Sequence, residues 1–324
     1  MIEKKVIITD CDHDNFDAEQ SVFSKGGYSF ELLQCKTEDD VINQCQGAAA
    51  FINQYAPITE KVFASLPELK FVVRYGVGVD NIDLEAATKY GVQVCNVPDY
   101  GTNEVADHAL ALMLALTRKI PFMNKLVKSG TWDYSKSIPV YRHSVQTVGI
   151  IGLGRIGTAF AQKVHALGFR VIVHDINEKK TYPDFVEFVS LEELLQQSDV
   201  VSIHCGLDTS RNLISEKELQ LMKPSAYIVN VSRGGIIDEV ALDLALQENW
   251  IAGAAIDVAK SEPMSADANL MRHENFLITP HMAWYSEEAA VELKRKVAEE
   301  TVRFLNGEQV HYPVNQLVVG SNQI

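Results

Sequence analysis

The sequence has little positive charge, and long hydrophobic runs are absent from it. Lysine and arginine number 29 against 43 aspartate and glutamate residues, which gives a formal net charge of −14 at pH 7. A chain this acidic lacks the basic surface that binds nucleic acid, and an anionic membrane would repel it. The apolar run 109–116 has eight residues, whereas a helix needs about 20 to cross a bilayer. We therefore expect neither a nucleic-acid nor a membrane partner.

Cysteine is also scarce. The five cysteines form no CxxC pair, and one would be left over if the others paired. This usage predicts reduced, buried thiols in a cytoplasmic protein, and the absence of a secretory pattern before the strand-like run 6–9 favours the same compartment. Residues 11–14 (CDHD) have metal-ligating side chains, but no second cluster stands at a recognisable spacing. We predict a solvated loop there and no metal site.

Short β-branched runs alternate with helical stretches along the whole chain, and 47% of the 324 residues are hydrophobic. This is enough material for about two domains with substantial cores. The predicted strands are 6–9, 48–52, 71–73, 92–95, 145–151, 171–174, 200–204, 226–231, 251–257 and 276–279. The clearest predicted helices are 159–167, 191–197, 239–247 and 286–304. Strands separated by helices predict an α/β protein whose parallel sheets are covered on both faces.

The segment 101–128 differs from the other helical stretches because its middle, 105–117, is apolar almost all round. A helix of this kind must be buried on most sides, as between domains or at a subunit contact. Thr102 or Asn103 would cap its start. We interpret this segment as the crossing from a first domain into a second.

A dinucleotide-binding fingerprint follows the predicted strand 145–151 and opens a helix. Gly152 permits the tight turn, Gly154 lets the backbone approach a pyrophosphate, and Gly157 allows close packing of helix on strand. The next strand ends in Asp175, 18 residues after Gly157, where a carboxylate accepts hydrogen bonds from the adenosine ribose. The alternative is a glycine-rich structural turn, but this combination of features favours a dinucleotide.

Asp175 also bears on the choice of cofactor. Its negative charge would repel a 2′-phosphate, so we predict NAD rather than NADP. Lys179 and Lys180 lie close enough in sequence to weaken that preference, although a solvated turn also explains them.

Three polar side chains lie just beyond predicted strands, where open α/β sheets bind ligands. They are Arg233, Glu262 and His281. Each has a structural explanation by itself, as a surface cation, a loop carboxylate or a hydrogen-bonded core histidine. Together they suit a nicotinamide dehydrogenase of 2-hydroxy acids, because guanidinium binds carboxylate and carbonyl oxygens, imidazole transfers a proton, and a carboxylate orients the imidazole.

With these motifs the chain resembles the D-isomer-specific 2-hydroxyacid dehydrogenase family. The resemblance covers nearly all of the chain, and the order Arg, Glu, His with gaps of 29 and 19 residues is highly specific. The segments that carry it are 74–83 (RYGVGVDNID), 96–101 (NVPDYG), 152–157, 230–238, Glu262-Pro263 and Pro280-His281.

The resemblance implies a role for each matching residue. Arg233 would bind and polarise the 2-oxo acid, His281 would be the acid/base, and Glu262 would pair with the histidine. The expected cofactor residues, besides the three glycines and Asp175, are Arg155, Ile156, Thr209, Val231 and Asp257. The expected substrate residues are Arg74, Val77 and Gly78, and Trp284 would form a wall of the pocket.

The resemblance also implies a domain organisation. A Rossmann NAD-binding domain, 101–285, would be inserted into a flavodoxin-like substrate domain made of 1–100 and 286–324. The helix 103–128 would build a homodimer contact, which would explain its apolarity.

Two local features, Gly206 and the segment 283–286 (AWYS), resemble the branch of the C-terminal-binding-protein corepressors and their bacterial enzyme relatives. We predict an NAD-dependent enzyme that transfers a hydride between nicotinamide and C2 of a small D-2-hydroxy acid or 2-oxo acid. The alternatives are an enzyme of the D-3-phosphoglycerate dehydrogenase type and a corepressor-like protein that senses NAD. No second cationic cluster accompanies Arg74 to bind a phosphate.

Overall fold

A computed structural model describes residues 4–177, 181–207 and 209–317. The chain divides into two compact units, Met1–Tyr100 with Ser286–Ile324, and Gly101–Tyr285. Each unit contains one parallel sheet with helices. Within the described part of the chain, no helix combines the length and the apolarity that crossing a membrane requires.

The first unit is built on a five-stranded sheet. Its strands are β1 (Lys5–Ile8), β2 (Phe30–Leu32), β3 (Ala48–Asn53), β4 (Phe71–Arg74) and β5 (Gln93–Cys95). Its helices are α1 (Asp17–Gly26), α2 (Glu38–Gln44), α3 (Glu60–Ser65), α4 (Leu84–Lys89) and, from the end of the chain, α11 (Glu287–Leu305). The strand order is β2-β1-β3-β4-β5 with every pair parallel, which is the flavodoxin-like order.

The last helix, α11, packs against α1, β3 and β4 of the first unit. Its apolar residues recur at helical spacing, so that Ala290, Leu293 and Val297 are buried. The hydroxyl of Ser286 caps its start by accepting from the N–H of Ala289.

The second unit contains a seven-stranded parallel sheet. Its strands are β6 (Thr147–Ile151), β7 (Arg170–His174), β8 (Val186–Phe188), β9 (Val200–Ile203), β10 (Tyr227–Asn230), β11 (Gly253–Ile256) and β12 (Phe276–Ile278). Its helices are α5 (Thr102–Thr117), α6 (Ile120–Lys128), α7 (Arg155–Ala166), α8 (Leu191–Gln197), α9 (Glu216–Leu221) and α10 (Glu239–Gln247). The order β12-β11-β10-β9-β6-β7-β8 reverses direction beside β6, as in a Rossmann fold. The predicted pair of doubly wound α/β folds is confirmed.

Two details of the prediction were wrong. The single helix 103–128 is two helices, α5 and α6, because Lys119 between them adopts a left-handed φ of 53°. Neither Thr102 nor Asn103 caps α5, since Gly101 occupies the cap position and makes no side-chain bond there. The apolar face of α5 packs within the second unit, against α7, β10 and β11.

Two strands, β2 and β8, were not predicted. Each has three residues and lies at an edge of its sheet, and neither is fully buried. Short edge strands lack the continuous apolar run that marks a central parallel strand.

Candidate active site

The glycine loop, residues 152–157, comprises the connection from β6 and the first residues of α7 at the carboxyl edge of the second sheet. Gly152 has a φ of +92°, and a Cβ there would lie 2.9 Å from the carbonyl oxygen of His204. A Cβ at Gly157 would lie 2.1 Å from the carbonyl oxygen of Gly152, so the helix can approach the loop only without a side chain. A Cβ at Gly154 would have no heavy atom within 4 Å. The backbone is therefore tightly packed on one side and open on the other.

The acid at the end of β7 lies against this loop. Asp175 Oδ2 accepts from the N–H of Leu153 at 2.7 Å, and Oδ1 accepts from the N–H of Asn177 at 2.8 Å. The carboxylate is thus fixed beside the fingerprint, as its sequence position predicts. Lys179 and Lys180 lie outside the described residues.

These features fit a dinucleotide. Gly154 caps α7 without a side-chain bond, and the exposed Arg155 and half-buried Ile156 begin that 12-residue helix. The N–H groups of this first turn are therefore available to a pyrophosphate. Thr209 lies in an exposed turn after β9, and Val231 is buried directly after β10.

Arg233 follows β10, and a neighbouring glycine sets its surroundings. In the sheet register Asn230 is paired with Ile256, so the chains that leave β10 and β11 run side by side. A Cβ at Gly234 would lie 1.9 Å from the carbonyl oxygen of Ala259. The loop with Arg233 and the loop that leads to Glu262 therefore touch through backbone atoms.

His281 and Glu262 form a close pair. His281 Nδ1 lies 2.7 Å from Glu262 Oε2, and 34% and 39% of the two side chains are exposed. Partial burial favours neutral Glu262, but the hydrogen bond and charge of His281, the N–H of Ala259 and the charge of Arg233 outweigh it and lower the pKa of Glu262. An ionised carboxylate only accepts hydrogen bonds, so Nδ1 carries the proton and Nε2 is left for proton exchange.

Asp257, at the end of β11, is 2% exposed and organises the turn that contains His281. Its Oδ1 accepts from the N–H of Met282 at 3.0 Å and its Oδ2 accepts from the N–H of Ala283 at 2.9 Å. Thr279 and His108 complete this surrounding shell, with the Thr279 hydroxyl 2.6 Å from Asp257 Oδ1. Sequence reasoning missed both residues, because Thr279 ended a predicted strand and His108 lay in an apolar helix.

Trp284 lies three residues after His281, near the end of the second unit. The tryptophan ring is half-buried and packs edge-on against Tyr285, with ring centroids 5.5 Å apart. Its backbone lies beside Gly101, where a Cβ would come within 3.2 Å of the Trp284 carbonyl oxygen.

The remaining predicted substrate residues lie in the first unit, at and beyond the end of β4. Arg74 donates through Nε to the carbonyl oxygen of Gln54 at 3.3 Å. Val77 is 40% exposed, its carbonyl oxygen accepts from Asn96 Nδ2 at 2.6 Å, and Gly78 follows in the same loop. This loop lies at the carboxyl edge of the first sheet, with Val77 exposed and Gly78 partly buried.

In the described ranges, no group of three or more histidine, cysteine, aspartate or glutamate side chains is placed to hold a metal ion. The segment 11–14 continues from β1 as a loop.

The NAD binding domain of the D-isomer specific 2-hydroxyacid dehydrogenases, as described by its family model, matches residues 110–283. The chain belongs to this family. The match contains the glycine loop, Asp175, Arg233, Glu262 and His281, and it makes the second unit an NAD-binding domain.

Other members of the family resemble the chain over most of its length. A glyoxylate reductase of Korarchaeum cryptofilum is 37% identical over 86% of this chain and 85% of its own. A D-3-phosphoglycerate dehydrogenase of Archaeoglobus fulgidus is 35% identical over 90% of this chain but only 56% of its own. A D-lactate dehydrogenase of Aquifex aeolicus, solved with NAD and lactic acid, superposes with a TM-score of 0.85 at 27% identity, covering 94% of this chain and 96% of its own. The chain is accordingly an NAD-dependent oxidoreductase of this family.

Proposed function

We propose that this dehydrogenase interconverts a small 2-oxo acid and the corresponding D-2-hydroxy acid. The observation that carries the proposal is the His281–Glu262 pair beside Arg233 at the carboxyl edge of the NAD-binding sheet. The second unit would hold NAD, and the first unit, through Arg74, Val77 and Gly78, would receive the substrate carboxylate.

His281 is the proposed acid and base. Glu262 fixes the proton on Nδ1, so Nε2 delivers a proton to the 2-oxo oxygen during reduction and removes it during oxidation. The ionised Glu262 stabilises the imidazolium that carries this proton. Arg233 supplies a fork-shaped cation that binds the acid and stabilises negative charge on the carbonyl oxygen. NADH supplies the hydride when it is bound.

Four elements of the second unit would hold the cofactor. The glycine loop and the first turn of α7, with Gly152, Gly154, Arg155, Ile156 and Gly157, would receive the pyrophosphate. Asp175 would receive the ribose. Val231 and Asp257 would lie near the nicotinamide. Thr209, in its exposed turn, would belong to the loop that contacts the cofactor.

The charges of the first unit favour a small acid without phosphate. No lysine or arginine occurs in 9–16 or 54–58, the segments that follow β1 and β3. The cation that lies beside the first segment, Lys294, donates to the backbone carbonyl oxygen of Asn15. The half-buried Trp284, as a wall of the pocket, would suit an apolar substituent. The similarity to D-3-phosphoglycerate dehydrogenase keeps that activity as the second candidate.

We also propose a homodimer, because the second unit exposes apolar side chains in one segment. Trp132, Tyr134, Ile138 and Val145, between α6 and β6, are 89%, 82%, 64% and 72% exposed. Exposed large apolar side chains are typical of a contact between proteins where they form one patch, and a second copy of this chain is the occupant we expect. Sedimentation equilibrium should give twice the mass of one chain, and the mass of a single chain would contradict the dimer.

The function is tested by screening 2-oxo acids of different size and charge with NADH, following absorbance. We expect turnover of small unphosphorylated acids such as glyoxylate, and weaker turnover with NADPH because of Asp175. A strong preference for a phosphorylated acid would favour the second candidate. Absence of turnover with every acid would instead favour a corepressor-like protein that senses NAD.

The role of His281 is tested by His281→Ala. Loss of a positioned acid/base should lower kcat by about 10²- to 10⁴-fold, while NADH affinity, measured by fluorescence titration, should be retained. The matched control is His311→Ala, which removes an exposed histidine of the first unit. Unchanged turnover of the His281 variant would refute the assignment.

A further inference from the structure

The turn 279–283, which contains His281, is held by one buried carboxylate. Asp257 accepts three hydrogen bonds from this turn, from the Thr279 hydroxyl at 2.6 Å and from the N–H groups of Met282 and Ala283 at 3.0 and 2.9 Å. The backbone of Asp257 also accepts from the N–H of His281 at 2.8 Å. The end of β11 therefore determines where the histidine lies.

The backbone of His281 needs this support. Its φ is +54°, in the left-handed region that side chains other than glycine rarely adopt. Such conformations persist where surrounding contacts fix the backbone. The conformation aims the imidazole at Glu262, so a change in the turn changes the direction of the catalytic ring.

The Thr279 hydroxyl links this turn to α5. Its single proton is directed to Asp257 Oδ1, because the carboxylate only accepts. The same oxygen lies 2.9 Å from His108 Nε2, so it must accept a hydrogen bond from that nitrogen. His108 is thus fixed as the tautomer with the proton on Nε2.

His108 lies on a helix that packs against the sheet. Its helix, α5, packs on β10 and β11, and Ala109 shares a buried core cluster with Ala255 of β11. The side chain of His108 is 19% exposed, and Nε2 lies 3.6 Å from Asp257 Oδ1. A chain of two short hydrogen bonds therefore connects His108 to Thr279 and Thr279 to Asp257, and the groups in it are mostly removed from water.

We propose that His108 and Thr279 are positioning residues for His281. Together with Asp257 they hold the turn 279–283 in the strained conformation that presents the His281 ring to Glu262 and to substrate. The proposal rests on the function proposed for His281 and adds two residues that do not touch substrate.

Thr279→Val and Thr279→Ser form the first test. Valine keeps the shape but removes the hydroxyl, so Asp257 loses a donor and His108 an acceptor. Misplacement of a catalytic group by about 1 Å can lower a rate on the order of 10²-fold, and we expect a loss of this size in kcat with little change in the KM for the oxo acid or NADH. Serine keeps the hydroxyl and should retain most of kcat.

His108→Phe and His108→Gln form the second test. Glutamine can place an amide N–H near the position of Nε2, whereas phenylalanine has no donor. Phenylalanine should lower kcat as Thr279→Val does, and glutamine should restore most of it. Because both residues act through one hydroxyl, the double variant His108→Phe/Thr279→Val should be no slower than Thr279→Val.

The outcomes separate this proposal from the function on which it rests. If His281→Ala abolishes turnover while Thr279→Val and His108→Phe keep wild-type kcat, the positioning proposal is wrong and the function stands. If His281→Ala itself keeps wild-type turnover, the proposed function fails first. A purely structural role would lower the melting temperature but leave kcat of the folded fraction unchanged. If Thr279→Val does not fold, the test is made with His108→Phe and His108→Gln alone. Equal kcat for these two variants would overturn the proposal.

Discussion

Two loops at the carboxyl edge of the same sheet are built in opposite ways. The glycine loop 152–157 takes its shape from missing side chains, since a Cβ at Gly157 would lie 2.1 Å from a backbone oxygen of the loop itself. The turn 279–283 takes its shape from side chains, since Asp257, more than 20 residues earlier, accepts three hydrogen bonds from it. The first loop depends mainly on its own glycines, with one directed contact from Asp175 after β7. The second depends on side chains from β11 and α5.

The difference suits the two tasks. A pyrophosphate is bound by backbone N–H groups, so its loop needs close approach and little else. Proton transfer requires one ring to be held in one orientation, which needs several directed contacts. The loop proposed to bind the cofactor can therefore be recognised from glycine spacing, whereas the turn that holds the proposed acid/base, His281, cannot.

Among the variants of these two loops, Gly157→Ala is expected to have the largest effect. The added methyl group would overlap the carbonyl oxygen of Gly152, and overpacking of this kind costs about 1–3 kcal/mol. Urea unfolding should show the loss of stability without any cofactor, and NADH affinity should fall with it.

Gly154→Ala is the matched control for Gly157→Ala. Gly154 has a φ of −68°, which alanine adopts readily, and nothing lies within 4 Å of the added Cβ. The stability of the cofactor-free protein should be unchanged while NADH binds more weakly, because the methyl group would occupy the space of the pyrophosphate. Equal loss of stability in both variants would show that the open side of the loop has been assigned wrongly.

A smaller effect on stability is expected at Glu262, the partner of His281. Because the folded-state pKa of Glu262 is lowered, its contribution to stability is present above the ordinary glutamate pKa and is lost as pH falls through the lowered value. The stability difference between the wild type and Glu262→Gln should shrink over that acidic range. Since the pair is partly exposed, we expect at most about 1 kcal/mol at pH 7.

Urea unfolding at a series of pH values measures this difference. Glu248→Gln removes the same charge from an exposed position of the second unit and serves as the control. For each variant, the quantity compared is how its stability difference from the wild type changes with pH. If this change is no larger for Glu262→Gln than for Glu248→Gln, then His281 does not help to keep Glu262 ionised.

Most of the fold followed from local patterns. All ten predicted strands are present, and each observed end lies within two residues of the predicted one. They could be predicted because buried parallel strands are continuous apolar runs. The edge strands β2 and β8 were missed because their side chains are partly exposed and carry no such run. The break between α5 and α6 was also missed, since the left-handed Lys119 has no glycine or proline signal of its own.

The site was predicted unevenly. The glycine loop and Asp175 were found from spacing within one βαβ unit, and the structure places Asp175 against Leu153 of that loop. Arg233, Glu262 and His281 were selected by residue type and by resemblance, and the structure brings the last two within 2.7 Å. Thr279 and His108 had no sequence signal, because a threonine at a strand end and a histidine in an apolar helix are ordinary in a core.

Local patterns in the amino-acid sequence were enough to predict the two α/β sheets, the glycine loop proposed to bind the dinucleotide and the residue types proposed for acid/base chemistry. These depend on periodicity and on backbone freedom, which act over a few neighbouring residues. The orientation of His281 depends on long-range contacts, because its left-handed backbone is held by hydrogen bonds to Asp257 and, through Thr279, by a histidine about 170 residues away in the chain. Contacts at that separation form only after the helix packs on the sheet, and no local pattern encodes them.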